Sequence, residues 1–336
     1  MTPEKSGNLE PFADIDLDKM SDKLIDYLRK ELDSESVDYQ EPLTRLTGGQ
    51  ETYICRFQLS GVDERLPRPH ILRVFAEHSS QGQPDKENAV HNILADLGFP
   101  VPVVHGTCTD KSVLGHAFLI MDFSEGATLA ESGLPFDQIF EILGNLHAKM
   151  HNIDSKPIVR KINEVGWDIG WVSFDSRLEW HRTQVNMYFP WLSEAVEWLV
   201  KNRPSDPEVL RICHCDFHPL NILFKDNKVQ AVLDWGGFLL ADPALDVACT
   251  SWISTVATRV LLPDLDPDQL RETYLNAYRK IRPLDETNIT YYGVSRSLTD
   301  LMSGAQGQPI MGNPEITKLQ LTSINKVTGV RIRVPS

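Results

Sequence analysis

The sequence lacks the features that would direct a chain to a membrane or out of the cell. Its five cysteines are scattered over 336 residues, so they do not form the dense disulfide framework of a small secreted domain. The most apolar region, residues 229–262, contains three aspartates, and no uncharged stretch is long enough to span a bilayer. Residues 1–20 are polar and acidic, unlike a secretory signal. We therefore expect a cytoplasmic protein with reduced thiols.

Positive charge is also scarce. Asp and Glu total 47 against 33 Lys and Arg, which gives a formal net charge of -14. A field of this sign repels phosphate backbones and anionic lipid surfaces, so neither nucleic acid nor membrane is an expected partner. An acidic cleft would instead attract a cationic small molecule, although the same acidity also serves solubility alone.

Length and periodicity predict an α+β protein with two parts. The chain is longer than one compact core usually is, which favours two domains or two lobes. In the first part we predict helices over 16–31 and 84–97 and strands over 53–59, 70–75 and 117–121. In the second part we predict a helix over 136–151, one or two helices over 171–201 and further helices from about 244, 266 and 287. A hairpin is predicted from strands 222–224 and 229–233. The tail, residues 304–336, has no clear periodicity.

The strongest chemical signal is the run His214-Cys215-Asp216-Phe217-His218-Pro219-Leu220-Asn221, followed by Asp234-Trp235 thirteen residues after the asparagine. Phosphoryl transfer needs an acceptor for the hydroxyl proton and oxygen ligands that hold Mg²⁺ against nucleotide phosphates. Asp216 can accept the proton, and Asn221 can turn its carbonyl oxygen towards the metal. The predicted hairpin brings the chain back, so that Asp234 can be a charged ligand of the same metal.

This motif, together with the run Ala241-Asp242-Pro243-Ala244-Leu245-Asp246, resembles the aminoglycoside phosphotransferase and choline kinase-like superfamily, whose members are relatives of protein kinases. The resemblance extends from about residue 43 to 301. It implies a bilobal kinase-like fold, with a small antiparallel β-sheet lobe, a larger mainly helical lobe and Mg-ATP in the cleft. It also implies that Asp216 is the catalytic base, that Asn221 and Asp234 are magnesium ligands, and that His214 and Asp246 are structural.

The resemblance places a nucleotide site in the first part of the chain. Gly48 and Gly49 match the loop over the nucleotide phosphates, where glycines let backbone N–H groups approach anionic oxygens. Arg73 stands where protein kinases have a lysine that pairs with phosphate, and Glu87 is its expected partner. Met121 and Phe123 match the hinge that contacts adenine. The simpler interpretations are a Gly-Gly turn between strands and a surface ion pair of little energetic value.

We accordingly divide the chain into an accessory helical segment, a nucleotide-binding lobe and a helical lobe with the catalytic loop and substrate site, over residues 1–40, 41–122 and 123–336. The family builds its substrate-binding helices where this chain has Trp171, Trp180, Trp191, Trp198, Glu179, Glu194 and Glu197. Such side chains can bind an ammonium group, but they are also common in cores and on solvated faces. We expect ATP- and Mg²⁺-dependent transfer to a hydroxyl of a small molecule, with aminoglycoside-, choline- and homoserine-like acceptors as candidates.

Two other functions remain open. Cys213, His214, Cys215, Asp216 and His218 offer ligands for a zinc-dependent hydrolase. Against it, companion pairs such as a second Cys-x-x-Cys are missing, and zinc would not explain Asn221 and Asp234. The other alternative is a kinase-fold binding protein with little or no turnover. The presence of a base, both metal ligands and Arg73 opposes it.

Overall fold

The computed structural model describes residues 12, 15–46, 52–62, 66, 68–76, 82–164, 166, 168–308 and 310–333. Contacts divide the chain into two compact units. The first unit comprises Met1–Gly126 and Lys225–Gly236, and the second comprises Ala127–Phe224 and Gly237–Ser336. Within the described ranges, no helix is both long and apolar enough to cross a membrane.

Strands prevail in the first unit and helices in the second, which confirms the predicted α+β class. The strands are β1 (Asp38–Arg45), β2 (Thr52–Ser60), β3 (His70–Phe75), β4 (Val104–Cys108), β5 (Phe118–Asp122), β6 (Ala127–Thr128), β7 (Arg211–Cys213), β8 (Ile222–Lys225), β9 (Lys228–Val232) and β10 (Leu239–Ala241). The helices are α1 (Leu17–Glu31), α2 (Gln83–Asp96), α3 (Lys111–Leu114), α4 (Phe136–Asn152), α5 (Lys156–Glu164), α6 (Phe174–Tyr188), α7 (Ser193–Lys201), α8 (Pro243–Leu261), α9 (Pro267–Ile281), α10 (Ile289–Ala305) and α11 (Pro314–Thr328).

The first unit is built on a five-stranded antiparallel sheet in the order β1-β2-β3-β5-β4. The central strand β3 is buried along its length except at Arg73, which is only partly buried. Helix α1 begins at the cap Asp16 and buries its apolar stripe against the sheet, in one cluster with Phe57 and Phe118. The N-terminal helix is thus part of the core of this unit.

In the second unit, α4 packs so closely on α9 that only glycine fits at the crossing. A Cβ atom on Gly144 would lie 2.3 Å from the carbonyl oxygen of Tyr274. This approach places two histidines of α4, His147 and His151, within hydrogen-bonding distance of two tyrosines of α9. The strands β7 and β10 pair antiparallel, with Cys213 opposite Leu239, and β7 leads into the loop that carries the motif.

The structure also contains elements that periodicity did not predict. Strand β1 was missed because it lies at the sheet edge, is mostly exposed and contains Pro42. Helix α11 falls in the tail that had no assignment, because one of its three buried positions is the polar Gln320. The stretch 171–201, predicted as one or two helices, contains two, α6 and α7, with Pro190 between them. Residues 225–236 belong to the first unit, which the predicted segments had not separated from the helical part.

Candidate active site

The motif residues form a tight loop between β7 and β8 in the second unit. Cys215 has a φ of 68°, a left-handed conformation that is uncommon for residues other than glycine. Such a conformation costs about 1–3 kcal/mol and persists only where surrounding contacts fix it. The loop ends in a short 3₁₀ turn over Pro219–Asn221. The turn brings Asn221 back to the aspartate five residues earlier.

Asp216 lies at the centre of this loop, with 39% of its side chain exposed. The amide nitrogen of Asn221 donates to the Asp216 carbonyl oxygen at 3.0 Å and contacts its Oδ2 at 3.3 Å, and His218 Nε2 lies 3.3 Å from the same Oδ2. Burial opposes ionisation, but His218 and Arg296 outweigh it and hold the pKa of Asp216 below its usual range. His214 is fully buried, and its Nδ1 accepts the Asp216 N–H at 3.2 Å, which fits its predicted structural role.

Asp246, at the start of α8, fixes the backbone of the loop from inside the second unit. Its carboxylate is fully buried and accepts the N–H groups of His214 and Cys215, the latter at 2.8 Å. The imidazole Nε2 atoms of His147 and His151 lie 3.0 and 3.2 Å from its Oδ2. Although burial alone would raise it, the two imidazoles hold the pKa of the Asp246 carboxyl well below its usual range. The predicted hydrogen-bonded anchor between α8 and the motif loop is therefore present.

Asp246 and the two histidines could in principle hold a metal ion, since their donor atoms lie within 4.8 Å of one another. Each imidazole, however, also contacts a tyrosine hydroxyl through Nδ1, at 2.8 Å from Tyr274 and 2.6 Å from Tyr278. Burial and the neighbouring His147 lower the pKa of His151 to about 4, so it is neutral at pH 7. The Asp246 carboxylate also accepts the N–H groups of His214 and Cys215. We therefore interpret the cluster of Asp246, His147 and His151 as a buried hydrogen-bond network.

The cysteines of the loop do not suit a zinc site. Cys213 and Cys215 are both buried, and burial raises the pKa of each thiol well above its usual value. Among the described residues, the donor atoms that lie close enough together for one metal ion are those of His147, His151 and Asp246, and neither cysteine is in that group. This arrangement disfavours the zinc-dependent hydrolase.

In the first unit, Arg73 forms the expected ion pair with Glu87 and a second pair with Asp234. Its Nη1 lies 2.7 Å from Glu87 Oε2, and its Nη2 lies 2.9 Å from Asp234 Oδ1. The Glu87 side chain is 1% exposed, whereas that of Asp234 is 52% exposed. Burial raises the pKa of Glu87, opposed mainly by the guanidinium of Arg73. The two carboxylates that pair with Arg73 therefore differ sharply in their access to water.

Asp234 is positioned by the residues that follow it. It has a φ of 65°, and the next side chain, Trp235, is fully buried and donates to the Val232 carbonyl at 3.0 Å. A Cβ atom on Gly236 would lie 2.9 Å from the end of the Gln83 side chain, so a larger residue there would displace that side chain. The side chain of Gln83, on α2, also donates to the Gly236 carbonyl at 3.2 Å.

The remaining predicted nucleotide residues are placed as follows. Met121 is buried at the end of β5, and Phe123 follows it, packed partly against the same apolar cluster. The N–H of Phe123 donates to the Pro69 carbonyl at 3.0 Å, so that group already has a protein partner. Gly48 and Gly49 lie outside the described residues.

The predicted substrate-binding aromatics divide into two kinds. Trp171 and Trp180 are 66% and 44% exposed, whereas Trp191 and Trp198 pack partly against the core of the second unit. Glu179 pairs with Arg182 one turn along α6, at 2.9 Å. Only the first two tryptophans are therefore well exposed for a ligand.

Sequence reasoning missed Arg296, whose Nη1 lies 3.4 Å from Asp216 Oδ1. The signal was an arginine and an aspartate four residues apart, Arg296 and Asp300, in the otherwise uncharged α10. It could not be connected with the loop because 80 residues separate them.

Solved structures resemble this chain over most of its length. An aminoglycoside phosphotransferase, APH(4)-Ia, in a complex with ADP and hygromycin B aligns with a TM-score of 0.53 and 16% identity, covering 91% of this chain and 98% of that one. The aminoglycoside-3'-phosphotransferase of type VIII aligns with a TM-score of 0.53 and 20% identity, covering 84% and 99%. Macrolide 2'-phosphotransferase MphH from Brachybacterium faecium aligns with a TM-score of 0.52 and 16% identity, covering 90% of this chain and 98% of that one. These likenesses show the fold, and they confirm the kinase-like fold class.

Curated relatives match a shorter part. Acyl-CoA dehydrogenase family member 11 from Pongo abelii is 29% identical over 219 residues, which is 62% of this chain and 26% of that protein. Acyl-CoA dehydrogenase family member 10 from Mus musculus is 24% identical over 257 residues, 67% of this chain and 24% of that protein. The chain thus spans about a quarter of the length of these relatives. Residues 43–287 match the phosphotransferase enzyme family, and the chain belongs to that family.

Proposed function

We propose that this protein is an ATP- and Mg²⁺-dependent kinase that transfers the γ-phosphoryl group to a hydroxyl of a small molecule. The observation that carries the proposal is the loop over residues 214–221, which holds Asp216 partly exposed with Asn221 and His218 against its carboxylate. In a family of phosphotransferases, this arrangement suits a base that receives a hydroxyl proton.

Asp216 is the proposed catalytic base. Its carboxylate stays ionised, and its contacts limit how far the side chain can turn. A substrate hydroxyl that donates to this carboxylate is thereby oriented for attack, and its proton passes to Asp216 as the new oxygen–phosphorus bond forms. The same step breaks the bond between the γ-phosphorus and the bridging oxygen of ATP, so that ADP leaves.

Asn221 and Asp234 are the proposed Mg²⁺ ligands, and their chemistry fits that ion. The Asn221 amide nitrogen donates to Asp216, which leaves its carbonyl oxygen as the atom that would bind a metal. The Asp234 side chain is half exposed, with Oδ1 beside Arg73. Carboxylate and amide oxygens are the donors that Mg²⁺ prefers, and the bound ion would neutralise charge on the nucleotide phosphates.

The nucleotide site follows from the residues of the first unit. Arg73 would pair with phosphate oxygens through its forked donors, with Glu87 holding the guanidinium in place. Gly48 and Gly49 would cover the phosphates, and Met121 and Phe123 would contact adenine. Because the Phe123 N–H already donates to the protein, adenine would use other backbone groups of this segment.

The acceptor is proposed as a small hydroxyl compound. The net charge of -14 and the exposed Trp171 and Trp180 favour a cationic one. Structural neighbours named for aminoglycosides and macrolides add those antibiotics as candidates. The relatives are named for acyl-CoA, and an acceptor needs a hydroxyl group, so we add hydroxyacyl thioesters of coenzyme A to the candidate acceptors.

The test is an ADP-release screen of the purified protein with Mg-ATP. The acceptor panel comprises aminoglycosides, macrolides, choline and ethanolamine, homoserine and hydroxyacyl-CoA thioesters, and Asp216→Asn is the control. We expect release above the acceptor-free rate with at least one class, and none with the control. Mg-ATP binding in a thermal-shift assay without turnover on the whole panel would instead support a kinase-fold binding protein.

A further inference from the structure

Arg296, on α10 of the second unit, contacts the strained part of the catalytic loop. Its Nη1 donates to the carbonyl oxygen of Cys215 at 3.3 Å and lies 3.4 Å from Oδ1 of Asp216. The side chain of Arg296 is 14% exposed, so these contacts form largely away from water. A single guanidinium nitrogen therefore touches both the left-handed residue and the carboxylate that follows it.

The Cys215 backbone is held on both sides by charged side chains. Its N–H donates to the buried carboxylate of Asp246 at 2.8 Å, and its carbonyl oxygen accepts from Arg296. These two partners come from different helices, α8 and α10. Because a left-handed residue outside glycine persists only where its surroundings fix it, both contacts contribute to the direction in which Asp216 leaves the loop.

Arg296 is itself fixed by two further residues. Its Nε lies 3.0 Å from Oδ1 of Asp300, one turn along α10, and Oδ2 of Asp300 accepts the indole N–H of Trp252 at 2.9 Å. Asp300 is 2% exposed, so the pair is shielded from solvent. A buried guanidinium needs such a carboxylate, and the indole fixes the carboxylate in turn.

The two oxygens of Asp216 are thereby contacted from different directions. Oδ2 faces Asn221 and His218 of its own loop, whereas Oδ1 faces Arg296 from α10. The contacts with Asn221 and His218 fix the carboxylate only relative to its own loop, which contains the strained Cys215. The contact from α10 connects that carboxylate to the helical core.

We propose that Arg296 is a positioning residue for phosphoryl transfer, which holds the Cys215 carbonyl and the Asp216 carboxylate so that the base keeps one direction. This inference rests on the proposed function of Asp216. It assigns Arg296 no contact with nucleotide or acceptor. Loss of the guanidinium should then reduce kcat and leave the KM for ATP unchanged.

The experiment compares Arg296→Gln, Arg296→Lys and Asp300→Asn with the wild type. Arg271→Gln is the matched control, because Arg271 of α9 is 35% exposed and, within the described part of the chain, its ion pair is with the neighbouring, 52% exposed Glu272. We expect Arg296→Gln to lower kcat by about 10²-fold, the effect of a small misplacement of a catalytic group. Lysine keeps the charge but lacks the fork, so its loss should be about tenfold.

A second measurement does not depend on turnover. Hydrogen exchange of the peptide over residues 211–221 reports the N–H groups that donate to Asp246. We expect faster exchange there in Arg296→Gln and Asp300→Asn, and wild-type exchange in Arg271→Gln. If Arg296→Gln does not fold, Arg296→Lys and Asp300→Asn are read in the same two assays.

The outcomes separate this inference from the proposed function. Absence of ADP release by the wild type with every acceptor would refute the proposed function, while loop exchange would still decide whether Arg296 holds the loop. An active wild type whose kcat and loop exchange are unchanged in Arg296→Gln would overturn the inference alone. A raised KM for ATP at constant kcat would also overturn it, because it would place Arg296 in nucleotide binding.

Discussion

Asp216 in the second unit and Asp234 in the first are held in contrasting ways. The Asp216 carboxylate is contacted by Asn221, His218 and Arg296, and its loop is fixed by buried groups. Asp234 is more exposed, and Arg73 is its ion-pair partner. The difference matches the two proposed roles, because a base must point in one direction before substrate arrives, whereas a metal ligand is oriented by the ion it binds.

The backbone conformation is also held differently at the two sites. Each site has a residue with a left-handed conformation, Cys215 just before the proposed base and Asp234 itself. In the second unit, charged side chains of α8 and α10 hold the strained peptide. In the first unit, the large apolar Trp235 holds the turn from the next position. Charged side chains thus fix the loop around Asp216, the proposed base, and apolar packing fixes the loop of Asp234, the proposed metal ligand.

The largest expected effect is on turnover, from Asp216→Asn. The amide has nearly the shape of the carboxylate but cannot accept a proton, so kcat should fall by about 10²- to 10⁴-fold. Mg-ATP binding should persist, because the base is not a proposed nucleotide contact. Steady-state ADP release and a thermal-shift titration with Mg-ATP measure the two quantities. Turnover close to wild type would remove Asp216 as the base.

The second prediction concerns stability and compares Asp246→Asn with Asp234→Asn. Asp246 is fully buried and bonded to two imidazoles and two backbone N–H groups, so loss of its charge should lower the free energy of unfolding by about 3–5 kcal/mol. Asp234 is half exposed, and its pair with Arg73 should contribute less than about 1 kcal/mol. Urea unfolding at pH 7 measures both changes, and equal losses would contradict the contrast.

A third prediction isolates the metal. Asp234→Asn should raise the Mg²⁺ concentration needed for half-maximal ADP release by about 10- to 100-fold, since it replaces a charged oxygen ligand by a neutral one. Asp226→Asn is the matched control, because Asp226 also has a positive φ, lies in the turn between β8 and β9, and is exposed. A magnesium titration that is the same in both variants would exclude Asp234 as a ligand.

The local part of the site could be predicted from the sequence. The contacts of Asp216 with His218 and Asn221 span only two and five residues, so a short motif specifies them. The pairing of Arg73 with Glu87 was predicted from the resemblance to kinases, in which the basic residue of this strand pairs with an acidic residue of the next helix. Arg296 was not predictable, because its contact with the loop depends on the packing of α10, which no local pattern encodes.

The fold shows the same limit. The segments α1 and β3 were predicted within one residue of their observed ends, since α1 has one apolar stripe and β3 is apolar on both faces, with Leu72 and Val74 in one cluster and Ile71 and Phe75 in another. Strand β1 and helix α11 were missed, because an exposed edge and a buried glutamine give no such pattern. The membership of residues 225–236 in the first unit depends on long-range packing, including the contacts of Trp235 with His91 and Phe99.

The smallest expected effect is on the pH dependence of stability. It comes from a buried neutral histidine, in contrast to the buried charged side chains of Asp246 and Arg296 that hold the loop. His181 of α6 is fully buried, and burial together with the charge of Arg177 lowers its pKa to about 3. In the unfolded chain its pKa is about 6.5, so below that pH the unfolded state binds a proton that the folded state does not. Stability should therefore fall by about 1.4 kcal/mol per pH unit for this residue as pH drops from 6.5 towards 3. The urea midpoint should therefore differ less between pH 7.5 and pH 5 in His181→Gln than in the wild type. An equal difference in the two proteins would show that His181 is protonated in the folded state as well.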